Sequence, residues 1–209
     1  KTVTGPNGVD VTTHDGKKHR GVRWDSTVDS DKQDLFNVQA SKGDKGVILV
    51  ESPPDALRLS AFGFKGGVAT GGSFLSPLHV AGLKAQGVEM ATLCFDQASR
   101  DGNGKGGGAG KTEKALEVLR KAGLQAFVID PASLAPHGSP GEWVKHRGAD
   151  AFRKLLTSRV YGSEWSWRRI VDSYNLLDRE EWTRAKNEGF RAAEGITDPS
   201  EQHFFLDAL

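Results

Sequence analysis

The arrangement of this chain is set by residues 46–59, which read Gly-Val-Ile-Leu-Val-Glu-Ser-Pro-Pro-Asp-Ala-Leu-Arg-Leu. Residues 47–50 are continuously apolar, which is typical of a strand buried on both faces of a parallel sheet. Ser52 is a good helix cap, and the prolines after it are tolerated in a first helical turn. Glu51 and Asp55 therefore meet where the strand leaves the sheet, the edge at which open α/β sheets bind ligands. From this segment alone, an exposed turn with two solvated acids is an equal alternative.

A second apolar run, residues 90–95, also ends on a carboxylate, that of Asp96. Between the two runs lies a helix with clear start and stop signals, Ser76 as its cap and Gly87 after its end. A further helix ends before Gly123 and is followed by an apolar strand. This alternation of strands and helices predicts an α/β fold with a mainly parallel sheet.

The order of these elements resembles the Toprim domain of primases, topoisomerases and related nucleases, and most of all that of bacterial and phage primases. The primase signature is an apolar strand followed by Glu-Gly-x-x-Asp-x-x-x-Leu, and residues 50–59 are similar to it. Residues 69–72, Ala-Thr-Gly-Gly, are similar to a primase Ala-Thr-x-Gly segment. The resemblance covers residues 47–156 and implies a Rossmann-like, mainly parallel sheet with flanking helices.

Three regions are expected along the chain. Residues 1–45 form a small β-containing region, in which Asp15-Gly16 is a strong hairpin signal. Residues 46–156 form the Toprim core, and residues 157–209 form a helical C-terminal region whose tryptophans have helical spacing.

Composition describes an ordinary globular protein, with 37% hydrophobic residues and a formal net charge of +1 among 209 residues. This balance excludes a strongly basic DNA coat protein, so any nucleic-acid contact has to use a local patch. The single cysteine, Cys94, excludes a disulfide framework or a multi-cysteine zinc site. No apolar run has membrane-spanning length and no signal peptide is visible, which predicts a cytoplasmic protein without a membrane partner. Because the chain begins at Lys1, we expect it to be part of a longer polypeptide.

The resemblance implies a phosphoryl-transfer site at the strand ends. Glu51 is implied as the catalytic general base or acid, or as a metal ligand, while Asp96 and Asp55 are implied to hold or support the metal. Mg²⁺, or Mn²⁺ in its place, is the implied cofactor, since Mg²⁺ prefers hard oxygen ligands. It neutralises charge that develops during phosphoryl transfer.

The chain departs from this pattern at three expected carboxylates. The Asp-x-Asp motif after the third strand is here Asp96-Gln-Ala98, and a later Asp-Pro-Asp segment is Ser139-Pro-Gly141. We predict that Asp101, in the glycine-rich loop that follows Asp96, partly replaces the missing second aspartate. A solvated acid in a flexible loop is the alternative for Asp101.

Three groups of residues are predicted to contact nucleic acid or nucleotides. The N-terminal hairpin offers guanidinium and aromatic groups, which suit phosphate and base contacts. The turn after the second strand offers backbone N–H groups, and the glycine-rich loop offers lysines. The loop is not a P-loop, because a lysine stands where that motif needs glycine. The predicted residues are Arg20, Arg23, Trp24, Thr70, Gly71, Lys105 and Lys111.

The resemblance implies a primase-like enzyme of a replication system, with a phage or mobile element as its expected source. It would synthesise primers on single-stranded DNA from nucleoside triphosphates, and a helicase or further domains of a longer chain are its implied partners. A Toprim nuclease of the overcoming-lysogenisation type is one alternative. The missing acids favour another, a non-catalytic nucleic-acid-binding module.

Overall fold

The structure is a computed structural model that describes residues 11–12, 18–19, 35–71, 74–97, 107–196 and 198–207. The chain forms two compact units, Lys1–Lys32 and Gln33–Leu209. In the first unit, strand β1 (Val11–Thr12) pairs antiparallel with strand β2 (Lys18–His19). The two strands flank the Asp15-Gly16 dipeptide at which the sequence predicts a hairpin.

The second unit is built on a five-stranded sheet in the order β4-β3-β5-β6-β7. The strands are β3 (Gly46–Val50), β4 (Gly67–Ala69), β5 (Met90–Leu93), β6 (Gln125–Val128) and β7 (Val160–Tyr161). The first four are parallel and β7 pairs antiparallel with β6, which confirms the predicted mainly parallel α/β fold. The sequence did not predict β7, because two residues are too few to show a strand periodicity.

Helices cover both faces of this sheet. They are α1 (Pro53–Ala61), α2 (Pro77–Ala85), α3 (Gly107–Lys121), α4 (Pro140–Arg147), α5 (Ala149–Thr157), α6 (Gly162–Asp172), α7 (Arg179–Glu194) and α8 (Pro199–Asp207). The side chains of Ser52, Ser76 and Ser139 cap α1, α2 and α4, and a proline follows each cap. The sequence predicted the starts at Ser52 and Ser76 from this local chemistry, whereas the start of α4 at Ser139 was not predicted.

The core lies on both sides of β3, which explains its continuous apolar sequence. Val47 and Leu49 pack in one cluster with side chains of α2 and α3, while Val50 packs in the other with side chains of α1, α4 and α5. Successive residues of a strand point to opposite faces, so a strand covered on both faces needs apolar residues at every position.

Segments on either side of the predicted Toprim core also pack in the second unit. Phe36 forms an antiparallel bridge to Ala69 of β4, and Trp165 of α6 lies in the same cluster as Val47. The functional division of the chain at residues 45 and 156 remains a prediction. None of the helices in the described part of the chain is both long and apolar enough to span a bilayer.

Candidate functional site at the carboxyl edge of the sheet

Glu51 is the first residue after β3 and lies at the carboxyl edge of the sheet. The chain runs from β3 to β4 on one side and then returns to β5 on the other, so the strand order reverses beside Glu51. Such a switch point is where open α/β sheets bind their ligands. The Glu51 side chain is only 12% exposed, and its Oε2 atom accepts a hydrogen bond from Nζ of Lys111 in α3.

Asp55 lies in the first turn of α1 and is buried. Its Oδ2 atom accepts a hydrogen bond from the Ser52 hydroxyl. Its Oδ1 atom accepts two more, from the Ser139 hydroxyl at 2.8 Å and from the Gly141 backbone N–H at 2.9 Å. The carboxylate therefore lies between the amino ends of α1 and α4, where the dipoles of both helices favour a negative charge. The Asp55 side chain therefore connects α1 to α4 through hydrogen bonds.

The Asp55 carboxylate lies so close to Gly141 that a side chain at position 141 has no space. A Cβ atom at position 141 would lie 2.3 Å from Oδ1 of Asp55 and 3.0 Å from its Cα atom. The correspondence of Ser139-Pro-Gly141 with the primase Asp-Pro-Asp segment stays a prediction. A larger side chain at position 141 does not fit this packing. The Ser139 hydroxyl donates to Asp55 where the resemblance implies an acidic side chain.

Asp96 follows β5 at the same edge of the sheet. Leu93 of β5 is the partner of Leu49 of β3, so the chain beyond β5 runs beside Glu51. The Asp96 side chain is half-buried, and the backbone just after it is held by a hydrogen bond of 2.7 Å from the Gln97 N–H to the Gly138 carbonyl.

Cys94 lies buried in the apolar run that leads to Asp96. Burial raises the pKa of the Cys94 thiol far above its usual range, and the charges of Asp55 and Asp96 raise the pKa further. The thiol is therefore an uncharged, buried group, in agreement with the apolar run in which it lies.

The turn after β4 holds Thr70 and Gly71. Thr70 is buried, and its backbone N–H donates to the Val50 carbonyl at 3.1 Å, so this N–H continues the sheet. Gly71 has a φ of +70° and is exposed at the surface. Of the two, Gly71 is the residue whose backbone a phosphate can approach.

Five predicted site residues lie outside the described residues. They are Arg20, Arg23, Trp24, Asp101 and Lys105. Their assignment to metal or nucleic acid stays a prediction.

The described residues do not form a complete metal site. Among them, no three histidine, cysteine, aspartate or glutamate side chains converge in a way that could hold an ion. Glu51 is paired with Lys111, and both oxygens of Asp55 accept hydrogen bonds from protein donors.

Sequence reasoning missed two ion pairs of this region. Lys111 was predicted to bind nucleotide, and its contact with Glu51 carries no local sequence signal because the residues are 60 positions apart. Arg58 of α1 likewise pairs with Glu142 of α4 across 84 positions. Together with a hydrogen bond from Lys145, this pair holds the pKa of the Glu142 carboxyl below its usual value.

The fold and the position of Glu51 define a class, the Toprim-like α/β domain with a carboxylate at the end of its first core strand. No protein-family model matches the chain. The chain is 28% identical over 180 residues to the DNA primase of Chlamydia muridarum, an alignment that covers 84% of this chain and 28% of that primase.

Solved structures of primases share the fold. A DNA primase domain from Pseudomonas aeruginosa matches with a TM-score of 0.69 at 21% identity, over 87% of this chain and 56% of that one. A primase catalytic domain bound to single-stranded DNA matches with a TM-score of 0.71 at 16% identity, over 88% of this chain and 58% of that one. These similarities support homology to the Toprim-containing catalytic domains of DNA primases.

Proposed function

We propose that the chain is a primase-type nucleotidyltransferase domain that extends a primer on single-stranded DNA from nucleoside triphosphates. The observation that carries this proposal is the position of Glu51, a shielded carboxylate directly after β3 at the switch point of a primase-like sheet. The similarity to DNA primases supports the same reaction type. A cytoplasmic location and a partner helicase fit a role in replication of a phage or mobile element.

Glu51 is the proposed catalytic residue. In primer extension, a primer hydroxyl attacks the α-phosphorus of a triphosphate, its proton passes to a base, and pyrophosphate leaves. A carboxylate at this edge is suited to accept that proton, a role that contributes about 10²–10⁴-fold to a rate. Mg²⁺ or Mn²⁺ dependence is part of the proposal, with Asp96 and Asp101 as the proposed further ligands.

Single-stranded DNA is the proposed template because one of the matching primase domains is bound to it. Arg20, Arg23, Trp24, Gly71 and Lys105 are its proposed contacts. Since the net charge is only +1, affinity should depend on a local basic patch. Neutralising each phosphate of a single strand releases counterions, which gives a salt slope of about 0.7 per contact. A flat salt dependence would argue against nucleic-acid binding.

A non-catalytic nucleic-acid-binding module is the second candidate. The observation that favours it is the engagement of Glu51 and Asp55 by Lys111, Ser139 and Gly141, at a site without three of the primase acids.

One assay separates these candidates and the Toprim nuclease. The protein is incubated with labelled nucleoside triphosphates, single-stranded template and Mg²⁺ or Mn²⁺, and both product strands and template are resolved by length. Template-dependent extension supports the primase proposal. Cleavage of the template identifies a nuclease, and DNA binding without either product identifies the non-catalytic module.

A further inference from the structure

The ion pair between Glu51 and Lys111 lies on the carboxylate that primase-type chemistry needs. Oε2 of Glu51 accepts from the Lys111 ammonium, and the glutamate side chain is only 12% exposed. A cation supplied by the protein therefore already lies on this carboxylate. A divalent ion bound to either carboxylate oxygen would lie close to the Lys111 ammonium, and the two positive charges would repel one another.

The helix itself does not favour a lysine at position 111. Lys111 lies near the amino end of α3 (Gly107–Lys121), where the helix dipole disfavours a positive charge. The interaction that offsets this effect is the ion pair with Glu51. Lys114, one helical turn further on, has a different partner, since its ammonium lies 4.6 Å from the ring centre of Phe74.

Asp55, the other buried acid of this edge, cannot exchange its present partners for a metal ion as easily. Asp55 joins α1 to α4 through the Ser139 hydroxyl and the Gly141 N–H. A metal ion at Asp55 would have to break these bonds, whereas at Glu51 it has only to displace a lysine side chain that is 33% exposed. Lysine side chains have flexible stems, so this displacement leaves the backbone in place.

We infer that Lys111 is a tethered cation that competes with divalent metal ions for Glu51. The inference rests on the proposed function in taking Glu51 as the reactive carboxylate. It makes Lys111 a positioning residue: with its ammonium on Glu51 the site is charge-balanced and closed to metal, and with its ammonium displaced the site opens. Weak metal binding by the isolated protein follows from this competition.

The test is a calorimetric titration of the purified protein with Mn²⁺ alone, without DNA or nucleotide. Lys111→Met is expected to bind Mn²⁺ about fivefold more tightly than the wild type, the scale of a partly exposed ion pair. Lys111→Gln serves as a second neutral variant, and Lys111→Arg, which keeps the pair, is expected to bind like the wild type. Lys114→Met is the matched control, because it removes the same charge from the same helix without touching Glu51.

The gain must also depend on Glu51. In the double variant Glu51→Gln with Lys111→Met, the tighter binding is expected to disappear. Equal Mn²⁺ affinity in wild type, Lys111→Met and Lys111→Gln would overturn the inference, as would an equal gain in Lys114→Met or undetectable binding by every variant. Circular dichroism verifies that each variant is folded.

The primer-extension assay tests the proposed function separately. A gain in Mn²⁺ affinity without any extension by the wild type supports the tethered cation and overturns the primase proposal. Extension by the wild type without a gain in Lys111→Met overturns the tethered cation alone.

Discussion

The two edges of the sheet each carry a glutamate–lysine ion pair, and the two pairs differ in their surroundings. At the amino edge, Lys45 precedes β3 and Glu89 precedes β5, with Nζ and Oε1 2.8 Å apart and side chains 72% and 60% exposed. At the carboxyl edge, Lys111 and Glu51 pair with side chains 33% and 12% exposed. Solvent screens the first pair, so it adds little to stability. Removing one partner of the second leaves a charge that water only partly reaches.

The shielded ion pair and the buried carboxylate of this fold both lie at the carboxyl edge. At the amino edge, the side chains of Lys45 and Glu89 pair with one another in solvent. The carboxyl edge links acids to three helices, through Lys111 of α3, through Asp55 of α1 and through Gly141 of α4. Matched variants at the two edges, and at residues inside and outside the contacts of Asp55, should therefore differ in their effects.

The largest effect is expected from Glu51→Gln compared with Glu89→Gln. Glu51→Gln should lower primer extension by at least about 100-fold, because it removes the proposed proton acceptor. Affinity for single-stranded DNA should stay within a few-fold. Glu89→Gln removes the same charge at the opposite edge and should leave both quantities unchanged. Extension rates and fluorescence anisotropy measure them, and equal losses in the two variants would refute the assignment.

The next largest effect is expected on the stability of the Gly141→Ala variant. The new Cβ atom would lie 2.3 Å from Oδ1 of Asp55. Relieving that overlap should lower the free energy of unfolding by about 1–3 kcal/mol. Gly82→Ala is the matched control, because position 82 lies inside α2 with no atom near the new Cβ. It should be neutral or stabilise by up to about 1 kcal/mol, as measured by urea denaturation.

Removing the two lysines tests the contrast between the edges directly. Lys111→Met should lower the free energy of unfolding by about 1–2 kcal/mol, since it leaves the shielded Glu51 carboxylate without its cation. Lys45→Met should change it by less than about 0.5 kcal/mol, because water replaces the lost contact. Thermal and urea unfolding give both values at pH 7. Equal effects would show that the difference in exposure has no energetic consequence.

The smallest effect is expected at Glu142, which joins α4 to Arg58 of α1. A hydrogen bond from Lys145 and the Arg58 guanidinium lower the pKa of Glu142 below its ordinary value of 4.5. The resulting stabilisation is therefore present above pH 4.5 and is lost as the pH falls through the lower, folded-state pKa. Glu142→Gln should cost at most about 1 kcal/mol at pH 7, because these groups are partly exposed.

The pH dependence of the stability of Glu142→Gln tests the direction of the Glu142 pKa shift. The difference in unfolding free energy between Glu142→Gln and wild type should shrink as the pH is lowered past the folded-state pKa. Glu117→Gln is a comparison within one helix: the hydrogen bond from Lys121 also lowers the pKa of Glu117, so its difference from wild type should shrink in the same direction as the pH falls. A difference for Glu142→Gln that grows at low pH would contradict the prediction.

Local chemistry is what made much of the fold predictable. Serine caps followed by proline predicted the starts of α1 and α2, and the glycines that end α2 and α3, Gly87 and Gly123, have φ values of +88° and +71°. The same signal at Ser139 begins α4 but was not interpreted as a helix start. Apolar runs marked the buried strands, because β3 is covered on both faces. Strand β7 was not predicted from the sequence, because a two-residue edge strand is defined by its pairing with β6 and not by its own sequence.

The site was predictable only in outline. The sequence located Glu51 and Asp96 after apolar strands and Asp55 in the first turn of the helix that follows Glu51. It could not show that Lys111 pairs with Glu51 or that Asp55 joins two helices, because these contacts form between segments far apart in the chain. Side-chain partners at such distances depend on the packing of whole helices.

We propose that the carboxyl edge, centred on Glu51, is the edge of the sheet that binds divalent cations. Line broadening of amide resonances by Mn²⁺ compares the two edges, because one sample reports both of them at once. In Lys111→Met, the amides of Glu51 and Asp96 should broaden first while those of Lys45 and Glu89 stay sharp, and the wild type should need several-fold more Mn²⁺ for the same effect. Broadening that begins at Lys45 and Glu89, or that affects both edges equally, would contradict the claim.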